Sequence, residues 1–507
     1  MSNVPEPALK QHEPVRRAWW KRWRIPFVLL VMALAVVGWW HWAKSQEEQR
    51  LQAVYALWDQ QGRWRWNDWL VDRPVVTDKE NGDIIISQMA KLIPGNLETD
   101  LGMLLMNDVN HYSPNHVLHS EQTLELRRRI QKCEEAFKLF PEYLKRKHAL
   151  SRIPQGVSPY TIVLLNIQES RSLHNRLEEQ MEVELSEGKT AQAQQTILMS
   201  LQLAHYLDEQ LMLIGRLVQV ALLSRNCNQV QRWLALSEPD DQLLAAMQAA
   251  LAPFDTQSFF RKSILIEAGA FDQTVLDMKK NKSNLSSLMA WGGNANTWWE
   301  KTWESMLSII QAQRLGSPAQ HAECLEIYLM LYLQTWERWS MQRKGWQELD
   351  ASLKQSKARA YLPDMKHYLL PAMEKVGMAE MKLAAQFRVT QVALAAERYR
   401  RVHQHWPQSQ EELLKGFLPS IQLDPYDDQP IRIKPVEDGI LIYSIGKDNV
   451  DDGGDVLEAR ERVGTVTDVG IKLWKVNQRR LPALPLSNEY LEKKAELQRT
   501  QGGEEKK

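Results

Sequence analysis

The sequence predicts a mainly α protein. It has an N-terminal transmembrane helix, an irregular helical body open to solenoid-like stacking, and a small C-terminal α+β module. Three observations predict this. Residues 25–43 form an apolar run bracketed by tryptophan. Between residues 45 and 375, apolar side chains recur at helical spacing. Beyond Trp406-Pro407 the period falls to two: Ile440, Ile442 and Ser444 alternate with Leu441, Tyr443 and Ile445.

The apolar run is just long enough to cross a bilayer as a helix. Trp19, Trp20 and Trp23 precede it, and Trp39, Trp40 and Trp42 close it, as in an interfacial aromatic belt. Lys10, Arg16, Arg17, Lys21, Arg22 and Arg24 lie on the N-terminal side. The positive-inside bias therefore predicts a cytoplasmic segment at 1–24, a signal anchor at 25–43 and a periplasmic remainder, in a bacterial inner membrane. A cleaved signal peptide fits poorly, because Trp39-Trp40-His41-Trp42 stands where small cleavage-site residues belong.

Over the whole chain, 63 basic residues balance 63 acidic ones. No global field selects nucleic acid, and no nucleic-acid partner is expected. Cys133, Cys227 and Cys324 are far apart and odd in number. They read as small buried hydrophobes. One bridge between two of them stays open, while a zinc ribbon or thiol-redox pair lacks its CxxC motif.

The helical body, residues 45–375, starts directly after the anchor with Leu51, Val54, Tyr55 and Trp58 on one stripe. Trp58, Trp64, Trp66 and Trp69 belong either on the bilayer interface or in a core. A break at 74–81 leads to a helix with an apolar face (Ile84, Ile85, Met89, Leu92) and Thr77 or Asp78 as its N-cap. A helix over 121–139 stops at Phe140-Pro141, with Arg127-Arg128-Arg129 on its surface. Residues 160–236 are helical, interrupted at Glu187-Gly188-Lys189 as in helical-hairpin repeats. Residues 281–297 read as a loop, and helices resume from 298 to 357.

The last unit, residues 376–475, begins with a strong helix over 374–403, ended before Pro407. Ser409 and Glu412 suggest a capping box for a helix over 411–414, which Gly416 stops. Strands follow at 431–433 and 440–445, joined through Asp438-Gly439. Further strand signals lie at 463–466 and 469–473. The charged tail 488–507 is expected to be disordered.

Chemistry concentrates in one loop. Asp448, Asp451, Asp452 and Asp455, with Asp468 further on, gather carboxylates around Gly453-Gly454. Calcium takes six to eight oxygen ligands, and glycine lets the backbone fold around an ion. The loop is not an EF-hand, since Val450 and Ala459 fall at ligand places. A solvated acidic turn is the other reading. Glu187-Gly188-Lys189-Thr190 is no phosphate loop, because Val183 replaces the required glycine. His403 and His405 read as a polar surface pair. His-Glu-x-x-His and Gly-x-Ser-x-Gly are both absent from the sequence.

Tyr399, Trp406-Pro407, Asp424-Pro425-Tyr426, Tyr443-Ser444-Ile445-Gly446-Lys447-Asp448, the 451–455 loop and Asp468-Val469 form a recognisable series. With them, residues 394–474 resemble the periplasmic domain of the type II secretion major pseudopilin. The resemblance implies a stabilising calcium held by Asp448, Asp451, Asp455 and Asp468. It covers about a sixth of the chain. The departures are large: about 330 residues separate the anchor from the stem-like helix, and no prepilin cleavage motif precedes the apolar run. A polymerising subunit is therefore not expected. The whole layout, with Trp64-Arg65, Asp68 and Arg73-Pro74 after the anchor, resembles a family of bacterial single-span membrane proteins with a helical body. It lends an architecture and no activity.

Together these readings predict a membrane-anchored periplasmic scaffold or adaptor with an envelope protein as partner, a structural calcium and no catalysis. Membership of a type II secretion or pilus-like assembly is the first alternative. A metal-dependent hydrolase is the second; no base or nucleophile accompanies the loop in sequence.

Overall fold

The computed structural model describes residues 16–95, 106, 113–151, 153, 159, 165–207, 212–254, 258–281, 317–334, 366–456 and 468–504. Helix α1, Arg16–Asp59, is continuous over 44 residues. From Ile25 through Trp42 its large apolar side chains are exposed, and by length and composition this segment can cross a membrane. Its last turns have the opposite environment: Leu51, Val54 and Trp58 are buried. The exposed apolar segment of α1 thus runs into the body without a linker.

Around Trp58 the helices α11 (Ser258–Asn281) and α12 (Pro318–Gln334) close over α1. The Trp58 indole Nε1 donates to the Leu325 carbonyl at 3.0 Å and its ring stacks on Trp64 at 5.2 Å. Arg50 bonds both oxygens of Glu326, and the Tyr55 hydroxyl donates to Asp272 at 2.7 Å. Trp58, Trp64 and Trp66 are core residues, which settles the question left open by composition. The chain turns at Gly62, φ 110°, into α2, Trp66–Asp72. Gly269 of α11 allows that return, since a Cβ there would lie 2.3 Å from the Trp64 carbonyl oxygen.

Helix α3, Asp83–Leu92, buries Ile85, Ile86 and Met89. Its N-cap is Gly82, not Thr77 or Asp78. The buried Asn81 does the ordering: its Oδ1 accepts from the Asp83 and Leu150 amides, and its Nδ2 donates to the Leu150 carbonyl. The helix expected over 121–139 divides into α4 (Ser120–Gln131), α5 (Glu134–Phe137) and α6 (Phe140–Tyr143). The break falls at Cys133, whose φ of −102° and ψ of 2° leave the helical region. Arg129 is not on the surface; it is buried against Glu179 at 2.9 Å, because the face of α4 that carries it packs on α7.

Helices α7 (Leu165–Ser186) and α8 (Thr190–Tyr206) form the expected hairpin, with Gly188 at φ 74° in the joint. Helices α9 (Leu213–Leu236) and α10 (Asp241–Leu251) follow. Helix α13, Lys366–His403, is the spine. Leu383, Phe387, Val392 and Ala396 lie in a core shared with α7 to α10, while Met381, Ala384 and Ala385 lie in the core built on α1, α11 and α12. Residues 282–316 and 335–365 lie outside the described residues, so the expected loop at 281–297 and most of 298–357 are not addressed.

The sheet is antiparallel with order β1 (Arg432–Val436), β2 (Gly439–Ser444), β3 (Val469–Trp474). Val436 pairs with Gly439, so Glu437 and Asp438 make the two-residue turn. Gly439 belongs to the strand, and the reason for glycine there is β3: a Cβ would meet the Leu473 carbonyl oxygen at 1.9 Å. The strand signal at 463–466 falls outside the described residues. Helix α14, Gln410–Leu413, forms, but Ser409 makes no side-chain cap bond to it. Gln410 instead turns inward and bonds the Gln422 amide and carbonyl and the Ile431 carbonyl. Ile440, Ile442, Ile471 and Leu473 enter the same core as α7 to α10, so the apolar interior is continuous across residue 376.

The charged tail, expected to be disordered, carries a helix up to Glu504. Helix α15, Asn488–Glu504, buries Tyr490 among Leu118, Leu126 and Val183, and Lys494 pairs with Glu121. One aromatic anchor and one ion pair outweigh its polar composition. The three cysteines are buried thiols, not bridged.

The anchor's entry predicts a clear asymmetry. Trp58→Ala should cost roughly 3–5 kcal/mol in denaturant unfolding of the detergent-solubilised chain, the usual range for a buried tryptophan. Trp69→Ala, at a half-buried position, should cost distinctly less. Equal losses would contradict the packing described.

Candidate functional site

The aspartate loop leaves β2 at Ser444 and returns at Asp468 before β3. Its backbone is tightly coiled, with Gly446, Asn449, Gly453 and Gly454 all at positive φ, between 59° and 79°. Gly454 is required for a second reason: a Cβ would press on the Tyr443 and Leu441 side chains at 3.1–3.2 Å.

The five aspartates have unequal environments. Asp448 is exposed, and its Oδ1 accepts from the Val450 amide at 3.3 Å. Asp451 Oδ1 accepts from the Gly453 amide at 2.9 Å and the Tyr443 hydroxyl at 3.1 Å; its Oδ2 accepts from Arg432 Nε at 3.3 Å. Asp452 and Asp455 have exposed side chains. Asp468 is buried, its Oδ2 accepting from the Gly454 amide at 2.8 Å, while its Oδ1 has no hydrogen-bond partner among the described residues. Among the described residues, no three acidic, histidine or cysteine side chains converge closely enough to hold a metal by themselves.

Burial, hydrogen bonding and neighbouring charge shift Asp468, Asp451 and Tyr443. Burial and the neighbouring charges of Asp452 and Asp451 raise the Asp468 carboxyl above the ordinary range. Burial also acts against ionised Asp451, but the Gly453 amide, Tyr443 and Arg432 outweigh it and hold that carboxyl low. Burial, then Asp451, pushes the Tyr443 hydroxyl up to about 12.

Residues that the loop motif alone does not reveal complete the site. Asp424 is fully buried behind the loop and accepts from the Tyr426 and Ile445 amides, the Ser444 hydroxyl and Arg432, at 2.8–2.9 Å. Arg432 also pairs with Asp427. Lys434 Nζ donates to the Gly453 carbonyl at 2.6 Å. Arg432 and Lys434 are two apart on β1 and so share a face. That period-two pair of cations opposite the loop is the sequence signal that would have found them. Asp424 was already conspicuous in Asp424-Pro425-Tyr426.

A hard divalent cation fits these residues in kind. The donors are carboxylate and carbonyl oxygens, and Asp468 Oδ1 is a buried acceptor without a donor among the described residues. Asp468 and Asp451 could contribute carboxylate oxygens, with backbone carbonyls and water completing the shell; Arg432 on Asp451 and Lys434 on the Gly453 carbonyl would compete with the ion. The Ser444 hydroxyl is committed to Asp424. The Glu187-Gly188-Lys189 segment is the α7–α8 joint, where Lys189 and Arg127 both pair with Glu187.

The chain matches no protein-family model, and no curated protein or solved structure is significantly similar to it.

A carboxyl with a raised folded value contributes stability in acid, and this is lost as pH rises through that value. At neutral pH the ionised Asp468 therefore costs stability, which a bound cation would offset. With chelator, Asp468→Asn should match or exceed the wild-type thermal midpoint. Added calcium should raise the midpoint of the wild type and not of the variant. An equal calcium response in both chains would contradict the assignment.

Proposed function

We propose that this protein is a non-enzymatic scaffold or adaptor of the bacterial inner membrane, with a cytoplasmic N-terminus and a periplasmic body that receives an envelope protein partner. The observation that carries the reading is the continuity of α1. One helix is both the exposed apolar segment and, through Leu51, Val54 and Trp58, a core element of the body. A helix rises 1.5 Å per residue, so such a joint holds the body at a fixed height and orientation above the bilayer. That constraint suits a platform that presents a surface at a set distance from the bilayer. The basic residues before Ile25 support the proposed orientation.

The aspartate loop contributes a structural calcium in this reading. It would tie down the long β2–β3 connection, while the sheet itself packs on the helical core. The stem-like α13 followed by an antiparallel sheet supports the pseudopilin-like reading of the C-terminus.

Native electrophoresis of gently solubilised membranes tests the proposal. The full chain should migrate in an assembly larger than itself. Ten Gly and Ser residues inserted between Lys44 and Ser45 should release it while the body stays folded. Migration of the unaltered chain as a free monomer would contradict the scaffold reading.

A further inference from the structure

We propose that His403 and His405 form a chelate for a borderline divalent transition-metal ion, with Zn2+ as the probe, at the end of α13 and apart from the aspartate loop. Residues two apart on a helix do not face each other, so His403 and His405 could not share an ion in a continuous α13. Gln404 changes this. It takes φ 62°, a left-handed conformation uncommon for a residue other than glycine. Its amide donates to the Arg400 carbonyl at 2.7 Å and its side-chain Nε2 to the Arg401 carbonyl at 2.8 Å, which fixes the turn. The turn brings His405 back beside His403.

The two ring centres are 6.0 Å apart with 47° between the planes. A metal bonded to one nitrogen of each imidazole, at about 2.0–2.1 Å, sets the ring centres roughly 4.5–6.5 Å apart, from a right-angled to a linear arrangement. The observed spacing falls within that span. Tyr399 supports both rings, with centres 4.2 Å from His403 and 5.5 Å from His405.

The hydrogen bonding also selects a ligand atom. His405 Nδ1 lies 3.1 Å from the Trp406 carbonyl oxygen. A carbonyl only accepts, so Nδ1 carries the proton and Nε2 keeps its lone pair. A backbone carbonyl on the second nitrogen is the usual support of a metal-bound histidine. Both histidines are exposed, so an ion reaches them without opening the fold. Imidazole nitrogen suits zinc, copper or nickel and not calcium; water completes the coordination.

Isothermal titration of the full chain in detergent with Zn2+, in excess calcium, tests the proposal. One equivalent should bind with a dissociation constant on the order of micromolar. His403→Ala and His405→Ala should each weaken binding about tenfold or more, with unchanged far-ultraviolet circular dichroism. Gln404→Gly should retain binding, because glycine accepts the same φ. Cu2+ bound to the wild type should show electron paramagnetic resonance couplings from two imidazole nitrogens. No binding by the wild type, or equal binding by both alanine variants, would overturn the chelate and leave the pair as aromatic packing on Tyr399.

Discussion

Arg479 is the point at which the sheet, α9 and α13 are held together. Its guanidinium is buried. It donates to the Trp474 carbonyl at the end of β3, to the Ser237 carbonyl after α9, and to both oxygens of Glu397 on α13, all at 2.9–3.1 Å. Removing a guanidinium from water costs several kcal/mol and is tolerated only when its donors are satisfied. Arg480, at φ 52°, extends the seam by donating to the Leu185 and Ser186 carbonyls of α7 and the Leu236 carbonyl of α9. Two successive arginines thus cap the C-terminal ends of two helices, where cations meet the negative end of the helix dipole. Burial raises the Glu397 carboxyl, but Arg400 and Arg479 outweigh it and hold the group below the ordinary range.

The same device recurs where helices meet. Arg216 of α9 forks onto Glu380 of α13, Arg232 of α9 onto Glu182 of α7, and Arg129 of α4 bonds Glu179 of α7. Such pairs add little net stability over apolar packing, yet a shifted register would leave a buried charge unpaired. They fix which faces of these amphipathic helices meet. Helix α13 belongs to both main cores, and one of those cores contains the end of the long apolar helix α1. The orientation of the C-terminal sheet relative to the anchor passes through these contacts.

Local periodicity made much of the fold legible. The apolar run, the α7–α8 joint at Gly188, the long α13 and strand β2 each depend on neighbours in sequence. What was misread depends on distant partners. Arg129 looked like a surface residue because Glu179 lies fifty positions away. Tyr490 looked like part of a charged tail because Leu118 and Val183 are contributed from elsewhere. Gly439 looked like a turn residue, yet the backbone of β3 excludes a side chain there. In the aspartate loop the residue types were legible, but their distribution was not. Only the fold separates exposed Asp448 from buried Asp468, or sets Arg432 and Lys434 against the loop.

Through Arg479 the sheet and the helical body are expected to open as one cooperative unit. Hydrogen exchange on the full chain, wild type against Arg479→Met, tests this most directly. Truncation leaves Glu397 short of one of its two guanidinium partners, so amides of β2, β3 and the C-terminal half of α13 should lose protection together and by a similar factor. Loss of protection confined to the strands, with α13 unchanged, would mean that the sheet opens on its own and would contradict the claim.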